Sequence, residues 1–580
     1  MASPLVERPL DLAVPVRDLA RQLVAGVPSY LRTDYARIAG PGYYVTLAGN
    51  LARWGFSMAS LMEGAAAGRP RRTAVIDEVG ELTYAELRER SRRFAAALRA
   101  HGVGEGDRVA LVARNSRVPV ITMLACGYLG AVAMVMNPMS SAAQLRRTAD
   151  EYRAKAVVAD ADHAEGFADG ATPLIVGHGS EDGVPEKLRD LRFGGRAPVS
   201  YGTAIESVER RPHLPFHPKQ NPTVIMSSGT TGRPKGVVRG VPRSPQVIGS
   251  IFPKVPWRPG GVIQLTASLF HAWGWLNLNL VFATASTMVL RRHFDAHEAM
   301  ADITRYKVTG VISAAVFLRD LTGAFDDAVA EAAVSGTDGA ADGRVGGSVE
   351  FIVSSGNALP PHLTRDLNAR FGVVTCNFYG STEHGPVAVA GAQELAEDPD
   401  RAGTVAPGVR IAILDDDGEK VPAGRVGTIY SANSESMQGY LSAKDATTVR
   451  GRMLSTGDLG FFDEQGFLHV RGRADDMVIK GGENVYPREL EEFLGEQEAV
   501  ADVYVKGVRG EIMSRLDCYL VRADNEAGRA LDEDALRELV RANLAEHNLP
   551  DRVVWLDELP RNDAGKVVPR LLPQTADAEG

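Results

Sequence analysis

The ten residues SSGTTGRPKG, Ser227 to Gly236, hold four hydroxyls, three glycines and two cations, with no apolar side chain except a proline. Such a loop suits an oxygen-rich anion. Ser227, Ser228, Thr230 and Thr231 offer hydroxyl donors, while Gly229 and Gly232 let backbone N–H groups converge. Lys235 adds a compact positive charge, worth about 4 kcal/mol per close contact at moderate effective dielectric. The pattern is not a Walker A loop, which needs GK followed by Ser or Thr; here Lys235 follows a proline and precedes Gly236. Other polar runs stand further on: SSGNALP (354–360), FYGSTEHG (378–385), STGDLG (455–460) and PRNDAGKVVPR (560–570). Taken singly, Asp458 would read as a turn residue and Lys566 as a solvated surface charge.

These residues need a scaffold. The chain has 580 residues, 44% hydrophobic and 24% charged, enough for two to four domains with ample core. Its net charge of −9 argues against nucleic acid as a partner. Three scattered cysteines, Cys126, Cys376 and Cys518, form no CxxC pair and suit a reducing compartment. Residues 83–102 predict an amphipathic helix, with Thr83 and Glu86 as a capping box and Leu87, Ser91, Phe94, Ala95 and Leu98 on one face. Short apolar runs at 107–113, 155–160, 223–227, 310–316 and 350–356 predict strands separated by helices. The fold class is therefore α/β: a large N-terminal domain of mixed and parallel sheets with helices. Ligands gather beyond the carboxyl ends of such strands, where two of these runs lead into polar loops. From Val409 the texture alternates and turns on DDDG, predicting a small antiparallel region. After GRADD (472–476) a compact, mobile C-terminal α/β unit begins. Residues 335–348 read as a connector.

The N-terminus shows no secretory signal. Residues 118–136 carry no charge over 19 positions, but Pro119, Gly127 and Gly130 interrupt them, so a core helix followed by a core strand is expected rather than a span. The first 72 residues carry nine arginines, no lysine and five acids, with interleaved aromatics. They read as a helical extension packed on the main domain, the alternative being a surface that meets a membrane.

The motifs together resemble the adenylate-forming superfamily, the group of acyl-CoA synthetases, luciferases and peptide-synthetase adenylation domains, over roughly residues 55–572. The resemblance implies an N-terminal extension (1–72), a large domain (73–474) and a small domain (475–580) hinged at Asp475. It implies that Phe378, Tyr379, Gly380 and Ser381 line the nucleotide site, with Tyr379 stacked on adenine. Thr382 would meet the α-phosphate and Glu383 would hold Mg²⁺. Ser355, Gly356, Asn357 and Ala358 occupy the place of the adenine loop, though SSGNALP departs from the usual SGGAPL. Asp458 would accept from the ribose and Arg473 contact ribose or phosphate. Lys480, Gly481, Gly482 and Glu483 would line the thiol tunnel after a domain rotation. Lys566 would grip both the carboxylate and the α-phosphate.

The implied reaction is two-step. A carboxylate and ATP give acyl-adenylate and pyrophosphate; a thiol, CoA, then takes the acyl group and AMP leaves. The family's aromatic–histidine motif appears as LFHAWGW, putting His271, Trp273, Gly274 and Gly380 at the acyl pocket and His271 at the acyl–thiol junction. No carboxylate occurs between Leu265 and Leu290, which disfavours amino acids. The apolar surroundings favour a medium- to long-chain fatty acid, at about 0.8 kcal/mol per buried methylene. The alternatives are a ligase loading a carrier protein and an aryl or short-chain acid CoA ligase. Luciferase-type oxidation shares the scaffold. A non-enzymatic acyl-binding protein would be expected to lack Lys566 or Glu383, and both are present. The expected setting is cytoplasmic, with room for peripheral membrane contact through residues 1–72 and for a homodimer. A further departure, SANSESMQGY (431–440), replaces a Gly-Pro-rich stretch.

Overall fold

The computed structural model describes residues 20, 24, 35–55, 57–181, 183–209, 212–228, 234–240, 246–335, 345–442, 447–480, 483–509, 514–562 and 565–573. Helix Tyr84–Ala100 forms where the capping box demands: Thr83 accepts from the Glu86 N–H, and Glu86 returns a bond to the Thr83 N–H. Leu87, Ser91, Phe94, Ala95 and Leu98 are buried beneath it. The uncharged stretch becomes the 13-residue helix Arg117–Leu129 and the strand Val132–Val135, both in the core. No helix among the described residues is long and apolar enough to cross a membrane.

Two sheets build the large domain. In the eight-stranded sheet, Val224–Ser228 lies parallel to Val132–Val135 and antiparallel to Pro234–Arg239. In the fourteen-stranded sheet, a parallel row (Phe351–Ser354, Gly310–Ser313, Val262–Leu265, Thr287–Val289, Thr73–Asp77) continues through Thr375–Ser381 into antiparallel strands. The antiparallel region expected from Val409 is there, as Arg410–Leu414 against Gly427–Ala432. The main core lies under helix Ala272–Ala283 and includes Trp54, Ala59, Met62 and Ala65, so helix Met58–Gly68 packs into the body of the large domain. Helix Tyr35–Trp54 precedes it; most of residues 1–34 fall outside the described residues. The small domain wraps helices Pro487–Gly495 and Glu533–Asn543 on a three-stranded sheet, with its own core of Leu490, Leu494, Leu516 and Leu536.

Candidate active site

The fold brings the polar loops to one cleft. Ser227 pairs with Lys235 and Ser228 with Pro234, so the two ends of the signature loop lie side by side on antiparallel strands. Its apex, Gly229 to Arg233 (with Thr230, Thr231 and Gly232), lies outside the described residues. Lys235 is half-buried, with its ammonium 5.7 Å from the Tyr440 ring centroid. Thr382 and Glu383 sit in the turn between the antiparallel strands Thr375–Ser381 and Gly385–Ala390. The Glu383 carboxylate accepts from Ser381 Oγ at 3.2 Å and from Tyr440 Oη at 3.5 Å.

On the other side, Tyr379 Oη donates to Asp458 Oδ2 at 2.6 Å. Burial and the Asp458 charge push the phenol well above its usual range, so it stays protonated. Arg473 Nη1 donates to Asp458 Oδ1 at 3.1 Å and to the Thr456 carbonyl at 2.9 Å. Strand pairing sets Asp458 directly opposite Arg473. Asp458 thus organises both the ring and the cation expected at the nucleotide.

Lys566 arrives from the small domain. Gly565 packs against Val316 and Asn357, so this loop abuts the 355–358 loop of the large domain. The residue keeps solvent access, yet its ammonium pKa is lowered. Surrounding protein lowers it, and the nearby charges of Glu383 and Asp458 only partly restore it. Salt bridges hold the two domains together: Arg319–Asp502 at 2.9 Å, Arg365–Glu496 at 2.7 Å and Arg488–Asp400 at 3.6 Å.

His271 caps helix Ala272–Ala283, and its Nε2 is buried without a partner. Burial first, and the Lys566 charge second, push its pKa down to about 4, so the imidazole is neutral near pH 7. Trp273 donates to the Ser313 carbonyl at 3.1 Å and stacks on Phe378 at 4.8 Å between centroids.

The structure rearranges several expectations. Phe378, expected at the nucleotide, is buried against Trp273, because neighbouring strand residues face opposite ways and Tyr379 faces Asp458 instead. Gly274 and Gly380, expected at the acyl pocket, are also sites of close backbone packing. A Cβ at Gly274 would lie 2.3 Å from the Ser268 carbonyl oxygen, and one at Gly380 2.2 Å from that of Gly385. Ser355 is buried, while Gly356 and Ala358 are exposed. Lys480, expected beside the thiol tunnel, donates within the small domain to the Leu549 carbonyl at 2.7 Å and to Asp551 at 3.0 Å. Gly481 and Gly482 lie outside the described residues, and Glu483 opens the strand Glu483–Val485. Asp475 is exposed in the turn after strand Leu468–Arg473. Residues that sequence reasoning missed are Tyr440, His384, Asn433, Glu435 and Arg239, which surround the Glu383 turn; the unusual composition of 431–440 was the available signal.

A cavity of about 250 Å³ includes Arg114, Arg291, Arg292 and Arg561 in its lining. Asp302, Asp160 and Asp502 pair with the last three, so much of that charge is already neutralised. Among the described residues no group of three or more His, Cys, Asp or Glu could hold a metal. Mg²⁺ takes one or two carboxylates plus phosphate oxygens and water, and the Glu383 carboxylate is of the kind that could serve it.

Residues 62–441 match the family model for AMP-binding enzymes, and residues 489–566 match the model for their C-terminal domain. The chain is 30% identical to an indoleacetate–CoA ligase of Aromatoleum aromaticum, over 86% of this chain and 94% of that protein. It is 28% identical to a 2-succinylbenzoate–CoA ligase of Bacillus licheniformis, over 86% and 96% respectively. The anthranilate CoA ligase AuaEII, solved with anthranoyl-AMP, shares the fold with a TM-score of 0.75 at 21% identity, covering 88% of this chain and 95% of that one. The chain therefore belongs to the AMP-binding enzyme family, within the adenylate-forming superfamily, and is by class an AMP-forming acid–thiol ligase.

Proposed function

We propose that the protein converts an aromatic carboxylic acid to its CoA thioester through an acyl-adenylate. The observation that carries the adenylation step is the docking of the Lys566 loop on the large domain, Gly565 lying against Val316 and Asn357, with the charges of Glu383 and Asp458 near enough to act on Lys566. A carboxylate oxygen attacks the α-phosphorus of ATP, and the bond to the bridging oxygen of pyrophosphate breaks. Lys566 draws the two anionic reactants together, and Asp458 and Tyr379 orient the nucleoside. Magnesium, when held at Glu383, would offset the phosphate charge. Neutral His271 leaves the acyl carboxylate without a competing cation at its other end. The small domain then turns about Asp475 and withdraws Lys566. The CoA sulfur bonds to the acyl carbon, its proton passes to solvent, and AMP departs with the former carboxylate oxygen.

The preference for an aromatic acid is supported by the stacked Trp273–Phe378 pair beside His271, which suits a planar ring, and by the acids for which the two relatives are named. The medium- to long-chain fatty acid expected from the apolar lining is matched by fewer of the similar relatives, one of them named as a fatty acid–carrier-protein ligase, so the aryl-acid alternative is taken in its place. The test is pyrophosphate release with a panel of indoleacetate, benzoate, phenylacetate and fatty acids from C2 to C18, with and without CoA, following the thioester by mass. Turnover greatest with an aryl acid and yielding its CoA ester supports the reading. A maximum at a long-chain acid would overturn the substrate class, and adenylate without thioester would point to a carrier protein.

A further inference from the structure

Arg239 ends the strand that leaves the signature loop, and only 2% of its surface is exposed. Its guanidinium lies 5.4 Å from the Trp275 ring centroid, on the helix that opens with His271. Nη1 reaches the Thr382 carbonyl at 3.5 Å, and Nη2 donates to the Glu435 carbonyl at 3.3 Å. Glu435, also 2% exposed, sets its Oε2 3.6 Å from Nη2. Beside it, Asn433 Nδ2 donates to the carbonyls of His384 at 2.8 Å and Pro386 at 3.0 Å, and its Oδ1 accepts from the Glu435 N–H at 2.7 Å. The Met437 N–H donates to the Glu383 carbonyl at 2.7 Å, and Met437 pairs with Arg239 across the sheet. The carbonyls of Thr382, Glu383, His384 and Pro386 are thus all engaged by this bracket.

Stability alone is a poor reason for such a pair. Desolvating two charges costs more than their attraction commonly returns, and well-packed apolar side chains often serve a core as well or better. Here Arg239 Nε and Glu435 Oε1 are buried without a partner among the described residues. The burial pushes the Glu435 carboxyl up and the Arg239 guanidinium down, as an expensive pair should show. What the pair touches is the backbone that carries the α-phosphate and metal residues.

We propose that Arg239 and Glu435, with Asn433, are positioning residues for the adenylation step: they fix the backbone of Thr382–Pro386 so that Thr382 and Glu383 stand ready for the phosphate and its metal. This rests on the adenylation reading above. Residues that orient a metal ligand change affinity or activity by roughly 10–100-fold when removed. The test replaces the whole pair with apolar side chains, Arg239→Met with Glu435→Leu, so that no lone buried charge remains.

The expected result is a folded protein with a melting temperature near that of the wild type, adenylation slowed about 10–100-fold, and a raised Mg²⁺ concentration for half-maximal pyrophosphate release. Conversion of pre-made acyl-adenylate and CoA to thioester, which needs no metal-bound triphosphate, stays within about twofold of wild type on the same argument. Wild-type adenylation with unchanged Mg²⁺ dependence, or an equal fall in both half-reactions, overturns the proposal. Should the double variant not fold, Glu435→Gln is read by the same comparison of half-reactions and must slow adenylation selectively. A wild-type protein that releases no pyrophosphate with any acid would instead remove the adenylation reading, whatever the variants do.

Discussion

Two lysines of the small domain stand in opposite circumstances. Lys566 is in the cleft, close enough to Glu383, Asp458 and His271 for their charges and its own to affect one another. Lys480 is tied to Asp551 and the Leu549 carbonyl inside its own domain. On the proposed reaction, this arrangement is the one suited to adenylation, with the Lys566 loop presented and the Lys480 loop held back. On the same proposal, thioester formation would need the small domain to move, breaking the salt bridges at Asp502, Glu496 and Asp400.

The contrast breaks most sharply at Lys566. Lys566→Ala should slow adenylation by about a hundred- to a thousandfold, roughly 3–4 kcal/mol on the barrier, while pre-made acyl-adenylate and CoA still give thioester. Quantifying pyrophosphate and thioester separately checks this; an equal loss in both would mean that Lys566 serves the two steps alike.

His271 reports the docked lysine. Its imidazole should titrate at about 4 by NMR, and in Lys566→Ala it should titrate higher, because the neighbouring positive charge is the second cause of the shift. The sign for stability follows. With the folded pKa below the unfolded value near 6.5, the unfolded chain binds more protons between pH 6.5 and about 4. Stability should therefore fall as pH drops through that window, by at most about 1.4 kcal/mol per pH unit from this group. His271→Gln should flatten that part of the profile in chemical-denaturation curves.

A smaller effect is expected at the exposed turn. Asp475→Pro restricts the backbone at the hinge and should slow thioester formation by about tenfold while adenylation holds. Stopped-flow measurement of the second half-reaction would show it, and unchanged rates would place the hinge elsewhere. Least of all, Lys480→Ala should leave adenylation unchanged and cost under about 1 kcal/mol of stability, since its ion pair is partly solvated.

Much of the site was legible because its chemistry restricts residue type. A loop for phosphate oxygens must be hydroxyls, glycines and a cation, and the turn 381–383 supplies hydroxyls and a carboxylate within three residues. The helix at Tyr84–Ala100 was legible for the same local reason, its cap lying three residues from its partner. Other roles were not. That Gly274 and Gly380 leave no room for a side chain follows from the approach of Ser268 and Gly385, which a string of letters does not display. Phe378 and Tyr379 are adjacent aromatics whose duties were separated by the strand's alternation.

The sequence alone determined the family, the order of the motifs and the α/β class, since each depends on residues near one another along the chain. Tertiary structure decided that Arg239 lies beneath Thr382, that Glu435 pairs with it, and that Lys566 rather than Lys480 occupies the cleft. Those contacts join positions from 71 to 196 residues apart, and buried Arg239 acquires its partner only when its strand has paired with Met437–Tyr440, which brings up the Glu435 turn.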